Sequence, residues 1–274
     1  MKLGFSTLAC PNWTAEEMAA QAAECGYDGA ELSPRHQPSN FTPSLAPEDR
    51  RRLRQLFARH NLEIAMVNAY SDFIEAEPAV RAANVAGVKE FVDLARDLGA
   101  PRVRVFGQNA AKALPPEIPR ERCLDYVAAA ISEIADYAAD DGIEILLETH
   151  DVFCEPDLVR ELTSRTTAAN FGVIWDLANS LSTGKTVEQA FAAVQDHLRF
   201  MQLKDYVNTT RLEGPCMIGA GDAPIAAAMA LVASIGFDGY VSLETEKMYH
   251  PEPTVPDAAE SFPEFIKYMS DHGR

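Results

Sequence analysis

Short hydrophobic runs recur along the whole chain, and each is followed by a stretch with helical spacing. The runs cover 3–9, 29–33, 64–70, 102–107, 143–150, 171–177, 198–205 and 239–246. Their length and their apolar residues predict short, largely buried strands. Apolar residues with a helical period follow in 14–25, 48–60, 79–98, 120–141, 157–165, 187–195, 223–234 and 258–270. The boundary signals agree with this division. Thr14 and Glu17 form the sequence pattern of a capping box. Gly26, Gly99 and Gly142 each stand where a helix should stop, and Pro101 follows Gly99.

Eight strand–helix alternations with no break in composition predict one α/β domain over 1–274, a closed (β/α)8 TIM barrel. An open, doubly wound sheet is the other arrangement of the same alternation. Gly219-Ala220-Gly221-Asp222 offers only a GxG, with no third glycine and no strand immediately before it. A dinucleotide fingerprint needs both.

In such a barrel the carboxyl ends of the strands share one mouth, and functional side chains come from several strands. Here those ends carry Glu148, Asp176, Gln202 and Glu244 on four successive strands. Alternation along strand five places Glu148 and His150 on the same side. Carboxylates converging in one pocket raise one another's pKa unless a cation lies between them. An all-oxygen donor set suits one hard divalent ion, Mn²⁺ or Mg²⁺ first, with Co²⁺ or Zn²⁺ as further candidates. Arg104 and Lys204 stand where they can hold substrate oxygens or an acidic group. Glu31 near the end of strand two, His36 in the loop after it, and Asn179 after Asp176 complete the set of expected substrate contacts. The basic run Arg50-Arg51-Arg52-Arg54 reads as a solvated helix face.

Composition narrows the partners. The net charge of −17 opposes nucleic acid, which demands basic faces. The five cysteines are odd in number and have no CxxC spacing, which fits reduced thiols in a cytoplasmic protein. No signal peptide or membrane span is expected. The surface pattern leaves a homo-oligomer open.

The chain also resembles the xylose-isomerase-like TIM barrels, often named sugar phosphate isomerases/epimerases. The likeness runs from Leu3-Gly4-Phe5-Ser6-Thr7 and Gly26-Tyr27-Asp28-Gly29-Ala30-Glu31-Leu32 to Gly236-Phe237-Asp238-Gly239-Tyr240-Val241-Ser242-Leu243-Glu244. It implies Glu148, Asp176, Gln202 and Glu244 as metal ligands, with Gln202 where many members carry His. It also implies a small carbohydrate or cyclitol substrate, with Glu148 and Glu244 as bases in the epimerase manner. The segments Arg104-Val105-Phe106-Gly107-Gln108 and Leu147-Glu148-Thr149-His150 are similar to the 3-dehydroshikimate dehydratase branch. There the residues matching Arg104, His150 and Lys204 contact or process substrate, which adds His150 as a base and makes a hydro-lyase the alternative activity. That branch and many other members carry a His where this chain has Asn179. Endonuclease IV-like relatives share the fold but use a histidine-rich zinc cluster, and this chain lacks those histidines at its strand ends.

Overall fold

The computed structural model describes residues 1–36, 39–109, 113–252 and 254–272. Eight parallel strands close into a barrel in chain order: β1 (Lys2–Ser6), β2 (Gly29–Leu32), β3 (Glu63–Asn68), β4 (Arg102–Val105), β5 (Glu144–Glu148), β6 (Phe171–Asp176), β7 (Leu198–Leu203) and, after an antiparallel hairpin, β10 (Tyr240–Leu243). The closed barrel is the arrangement that the alternation predicts. The strands end a few residues earlier than the hydrophobic runs. The backbone leaves the ladder at Glu148, Asp176, Leu203 and Leu243, and the residues just beyond turn toward the mouth.

The outer layer comprises α1 (Ala15–Cys25), α2 (Pro47–Arg59), α3 (Pro78–Leu98), α4 (Arg120–Ala138), α5 (Pro156–Arg165), α7 (Val187–Val194), α8 (Ile225–Ser234) and α9 (Ala258–His272). The capping box at Thr14 and Glu17 is formed as the sequence predicts. Most of the apolar core lies between the strands and these helices. Phe5 meets Phe262 at 4.7 Å between ring centres, and Trp175 is buried against Phe191 of α7 at 5.5 Å. On α2, Arg50 pairs with Asp97 and Arg52 with Glu48 at the surface, as a solvated face requires.

A second, smaller core fills the barrel itself: Ala65, Met66, Leu146, Ile174, Phe200 and Tyr240. Phe200 and Tyr240 stack at 5.5 Å. Tyr240 fits because position 29 is glycine. A Cβ there would lie 2.7 Å from the Tyr240 hydroxyl and 2.8 Å from the Glu63 carbonyl oxygen. This plug is the floor of the site. Two residues beyond Leu146, Ile174, Phe200 and Tyr240 stand Glu148, Asp176, Gln202 and Ser242. The period of two carries the inward direction from the apolar layer to the polar one.

Two elements depart from the sequence reading. Residues 205–216, expected as strand end and loop, form the hairpin β8 (Asp205–Asn208) and β9 (Glu213–Cys216). Asp205 explains the fold of this region. Its buried carboxylate accepts the backbone N–H groups of Tyr206, Gly219, Gly221 and Ala223, so the loop after β9 is drawn back onto the start of β8. The second is α6 (Leu177–Leu181), which begins directly at the end of β6. Asp176 caps it by accepting from the Asn179 N–H at 3.0 Å.

Candidate active site

The residues that the strand ends supply meet at the carboxyl-terminal mouth. Glu148 ends β5, Asp176 ends β6, Gln202 lies within β7, and Glu244 directly follows β10. All four are buried. One carboxylate oxygen from each of Glu148, Asp176 and Glu244 lies within 4.8 Å of the other two. Gln202 sits beside them: its Nε2 donates to Glu31 Oε2 at 2.8 Å and to Glu244 Oε1 at 3.1 Å.

Two cations face this acidic group. Lys204 Nζ lies 2.8 Å from Asp176 Oδ2, 3.0 Å from Glu244 Oε2 and 2.9 Å from Glu246 Oε1. Its partners are these three carboxylates, whereas Asp205 is turned to the loop it caps. Despite burial, which disfavours the ammonium, their charge holds the Lys204 pKa well above the usual range. Arg104 donates from Nη1 to Glu148 Oε2 at 2.7 Å. Its guanidinium lies over the rings of Phe106 and Tyr70, 4.1 Å and 4.6 Å from their centres.

Burial sets the electrostatics. It pushes the Glu244 carboxyl well above the ordinary carboxylate range, against the pull of Lys204. Asp176 is raised for the same reason. Glu31, fully buried, is pushed by burial up to about 7, against the hydrogen bond from Gln202. Burial alone would lower the His150 imidazole, but the Asp151 hydrogen bond and the charge of Glu148 outweigh it, so its pKa is raised.

This environment fits a hard divalent cation. Among the described residues, none donates a hydrogen bond to the buried side-chain oxygens Gln202 Oε1 and Glu31 Oε1. Leaving such a group unpartnered costs about 1–3 kcal/mol. Five carboxyl groups (Glu31, Glu148, Asp176, Glu244, Glu246) gather around two buried cations (Arg104, Lys204), and a divalent ion among them would favour the charged carboxylate forms that burial disfavours. Of the four residues expected to hold the ion, the fold brings the three carboxylates together and sets Gln202 beside Glu244.

The mouth opens through a cavity of about 270 Å³ whose lining includes Arg35, Tyr70, Arg104, Phe106, His150 and Tyr249. A neighbouring cavity of about 670 Å³ shares His150 and is lined by Asn179, Asp151, Cys154 and the hairpin residue Arg211. Asn179 is buried with its Nδ2 unpartnered. His150 is stacked on Phe106 at 4.2 Å. His36 is placed differently from the expectation that it reaches substrate. It is fully buried, with Nε2 3.0 Å from the Cys10 carbonyl oxygen and its ring against Phe41. The loop's contribution to the mouth is its neighbour Arg35, which lies over Tyr70 at 4.2 Å. Glu246, Arg35, Tyr70, Tyr249 and Asp151 are site residues that the sequence reading did not name. Glu246 shares the parity of Ser242 and Glu244, and Asp151 adjoins His150; the others had no periodic signal.

Residues 19–266 match the family model described as the xylose isomerase-like TIM barrel. The chain belongs to that family. Among curated proteins it is similar to fructoselysine 3-epimerase from Shigella flexneri, 22% identical over 92% of this chain and 93% of the relative. Solved structures with the same fold include D-psicose 3-epimerase with D-tagatose from Clostridium cellulolyticum H10, with a TM-score of 0.82, 13% identity and coverage of 100% and 99% of the two chains. A probable 3-DHS dehydratase of petrobactin synthesis from Bacillus anthracis follows, with a TM-score of 0.78, 18% identity and coverage of 98% and 99%.

Proposed function

We propose that this protein is a divalent-metal-dependent isomerase or epimerase acting on a keto sugar or a related polyol. The observation that carries the reading is the convergence of Glu148, Asp176 and Glu244 within 4.8 Å beside a buried Gln202 oxygen that has no partner among the described residues. Family membership and the epimerase names of similar proteins support it. Glu148, Asp176, Gln202 and Glu244 would hold one Mn²⁺ or Mg²⁺. When bound, the ion would act as a Lewis acid on a substrate carbonyl and ease proton loss from the neighbouring carbon.

The chain's own residues divide the remaining work. Glu148 Oε2 is tied to Arg104, while burial favours a proton on Glu244. Two carboxyl groups in such unlike surroundings suit opposite roles, one removing a proton and the other returning it. Lys204 and Arg104 orient substrate oxygens, and Asn179 Nδ2 supplies a further donor. Tyr70, Phe106 and Tyr249 line the entry and exclude water from the reacting carbon. Glu31, its pKa pushed by burial up to about 7, carries less than its full charge behind the site at neutral pH.

A hydro-lyase acting on 3-dehydroshikimate or an inosose is the second reading. The placement of His150 on both cavities favours it, because an imidazole there adds a base of a second kind beside the glutamates.

Mn²⁺-loaded protein in D₂O, followed by proton NMR over a panel of ketoses, keto-cyclitols and 3-dehydroshikimate, separates these readings. Deuterium beside the carbonyl with a new epimer or isomer is expected. Vinylic or aromatic signals without a saturated isomer would transfer the protein to the lyases. The double variant Glu148→Gln, Glu244→Gln should lose its metal and all turnover; full retention of both would sink the site assignment.

A further inference from the structure

Asp151 has a left-handed backbone, with φ of 52°. Among residues other than glycine, aspartate and asparagine enter that region most readily. The turn is closed by the Phe153 N–H donating to the His150 carbonyl oxygen at 2.9 Å. It folds the Asp151 carboxylate back onto the ring that precedes it, placing Oδ2 2.7 Å from His150 Nδ1. The Asp151 side chain is 9% exposed. Phe106 lies against the ring at 4.2 Å and 21°. One contact fixes the ring's rotation and the other its plane.

A carboxylate only accepts hydrogen bonds, so Nδ1 must carry the proton in this pair. A neutral imidazole has one N–H, and Nε2 is then left with its lone pair. His150 lines both cavities at the mouth. We propose that Asp151 is a positioning residue: it selects the tautomer of His150 that presents a bare, proton-accepting Nε2 to the substrate. This deepens the reading given under Proposed function and rests on it for the reaction served. The arrangement of ring and carboxylate stands apart from it. Among the described residues, the Asp151 carboxylate makes its hydrogen bond to His150 and none to the expected metal ligands, so its proposed role runs through the ring.

The test uses metal-free, full-length protein labelled with ¹⁵N-histidine at alkaline pH, where the ring is neutral. The His150 signal is the one missing from His150→Gln. In the wild-type protein the proton is expected on Nδ1. In Asp151→Asn and Asp151→Gly, both compatible with a left-handed backbone, it should move to Nε2, which the free histidine side chain prefers. Melting temperatures should stay within ~3 °C of wild type. With the substrate turned over in the D₂O panel, Asp151→Asn should lower kcat on the order of 10²-fold with KM changed by less than ~3-fold. A wild-type proton on Nε2, an unchanged tautomer in Asp151→Asn, or a kcat loss that only tracks a lower melting temperature would overturn the proposal. A wild type silent toward the whole panel fails the proposed reaction instead, and the tautomer measurement then decides the role of Asp151 by itself.

Discussion

Arg104 is clasped between Tyr70 and Phe106, with Nη1 on Glu148, and both members of the ion pair are buried at the cavity wall. Removing either one leaves the other short of both its partner and most of its hydration. Arg104→Met keeps the bulk of the side chain but leaves Glu148 buried beside other carboxylates. Removing one partner of a buried pair costs about 3–5 kcal/mol. A loss of that size in urea unfolding is expected for metal-free protein, and a loss well below 1 kcal/mol would mean that Glu148 finds another partner. The residues of this inner layer were legible in the sequence. Arg104, Glu148, Asp176 and Gln202 each lie on a strand, or at its end, where side-chain direction follows from a period of two. His36 and Arg35 lie in a loop, where no period applies. The sequence offered the imidazole of His36 as the chemically interesting group, while the fold buries it and turns its neighbour to the mouth.

Elements fix the loops that carry the remaining site residues. Gly107, just beyond β4, admits the ring of Phe153 from the loop after β5. A Cβ at 107 would stand 2.2 Å from Phe153 Cε2, and that ring is fully buried. Gly107→Ala must displace the loop that bears His150 and Asp151, because a packed aromatic ring has nowhere to go. Overpacking of this kind costs about 1–3 kcal/mol. Thermal melts should show that loss, kcat should fall with it, and Phe153→Leu in the same chain should restore part of both. A Gly107→Ala protein with wild-type melting and turnover would show that the loop is not held by this contact. Such a constraint is invisible in a single sequence, since Gly107 looks like any strand-end glycine. The hairpin of β8 and β9 was illegible for a related reason: it depends on Asp205 gathering backbone N–H groups from residues up to Ala223. Helix α6 also follows from a single side chain, that of Asp176, which caps it while facing the site.

At the scale of the whole barrel, the two ends carry different burdens. The amino-terminal end is closed by Glu63, which accepts hydrogen bonds from Lys2 and from Tyr240. Burial works against its charge, but those two bonds and the nearby cations outweigh it, and its pKa is lowered in the fold. A carboxylate with a depressed folded pKa contributes stability above its unfolded value, and that contribution is lost as pH falls through the folded pKa. Glu63 is half exposed, so salt screens the effect. Glu63→Gln should therefore melt slightly below wild type at neutral pH, and the difference should shrink as pH falls below about 4. A gap that stays unchanged at lower pH would assign the loss to packing around Tyr240. The other end keeps its negative charge, in a chain whose formal net charge is −17. Low-dielectric walls focus the field of clustered charges outward along a cleft. A divalent ion would thus be drawn to this mouth by valence, without regard to identity. In the proposed site, telling one such ion from another would fall to the last few ångströms, where the carboxylates and the amide oxygen of Gln202 would choose by size and by willingness to shed water.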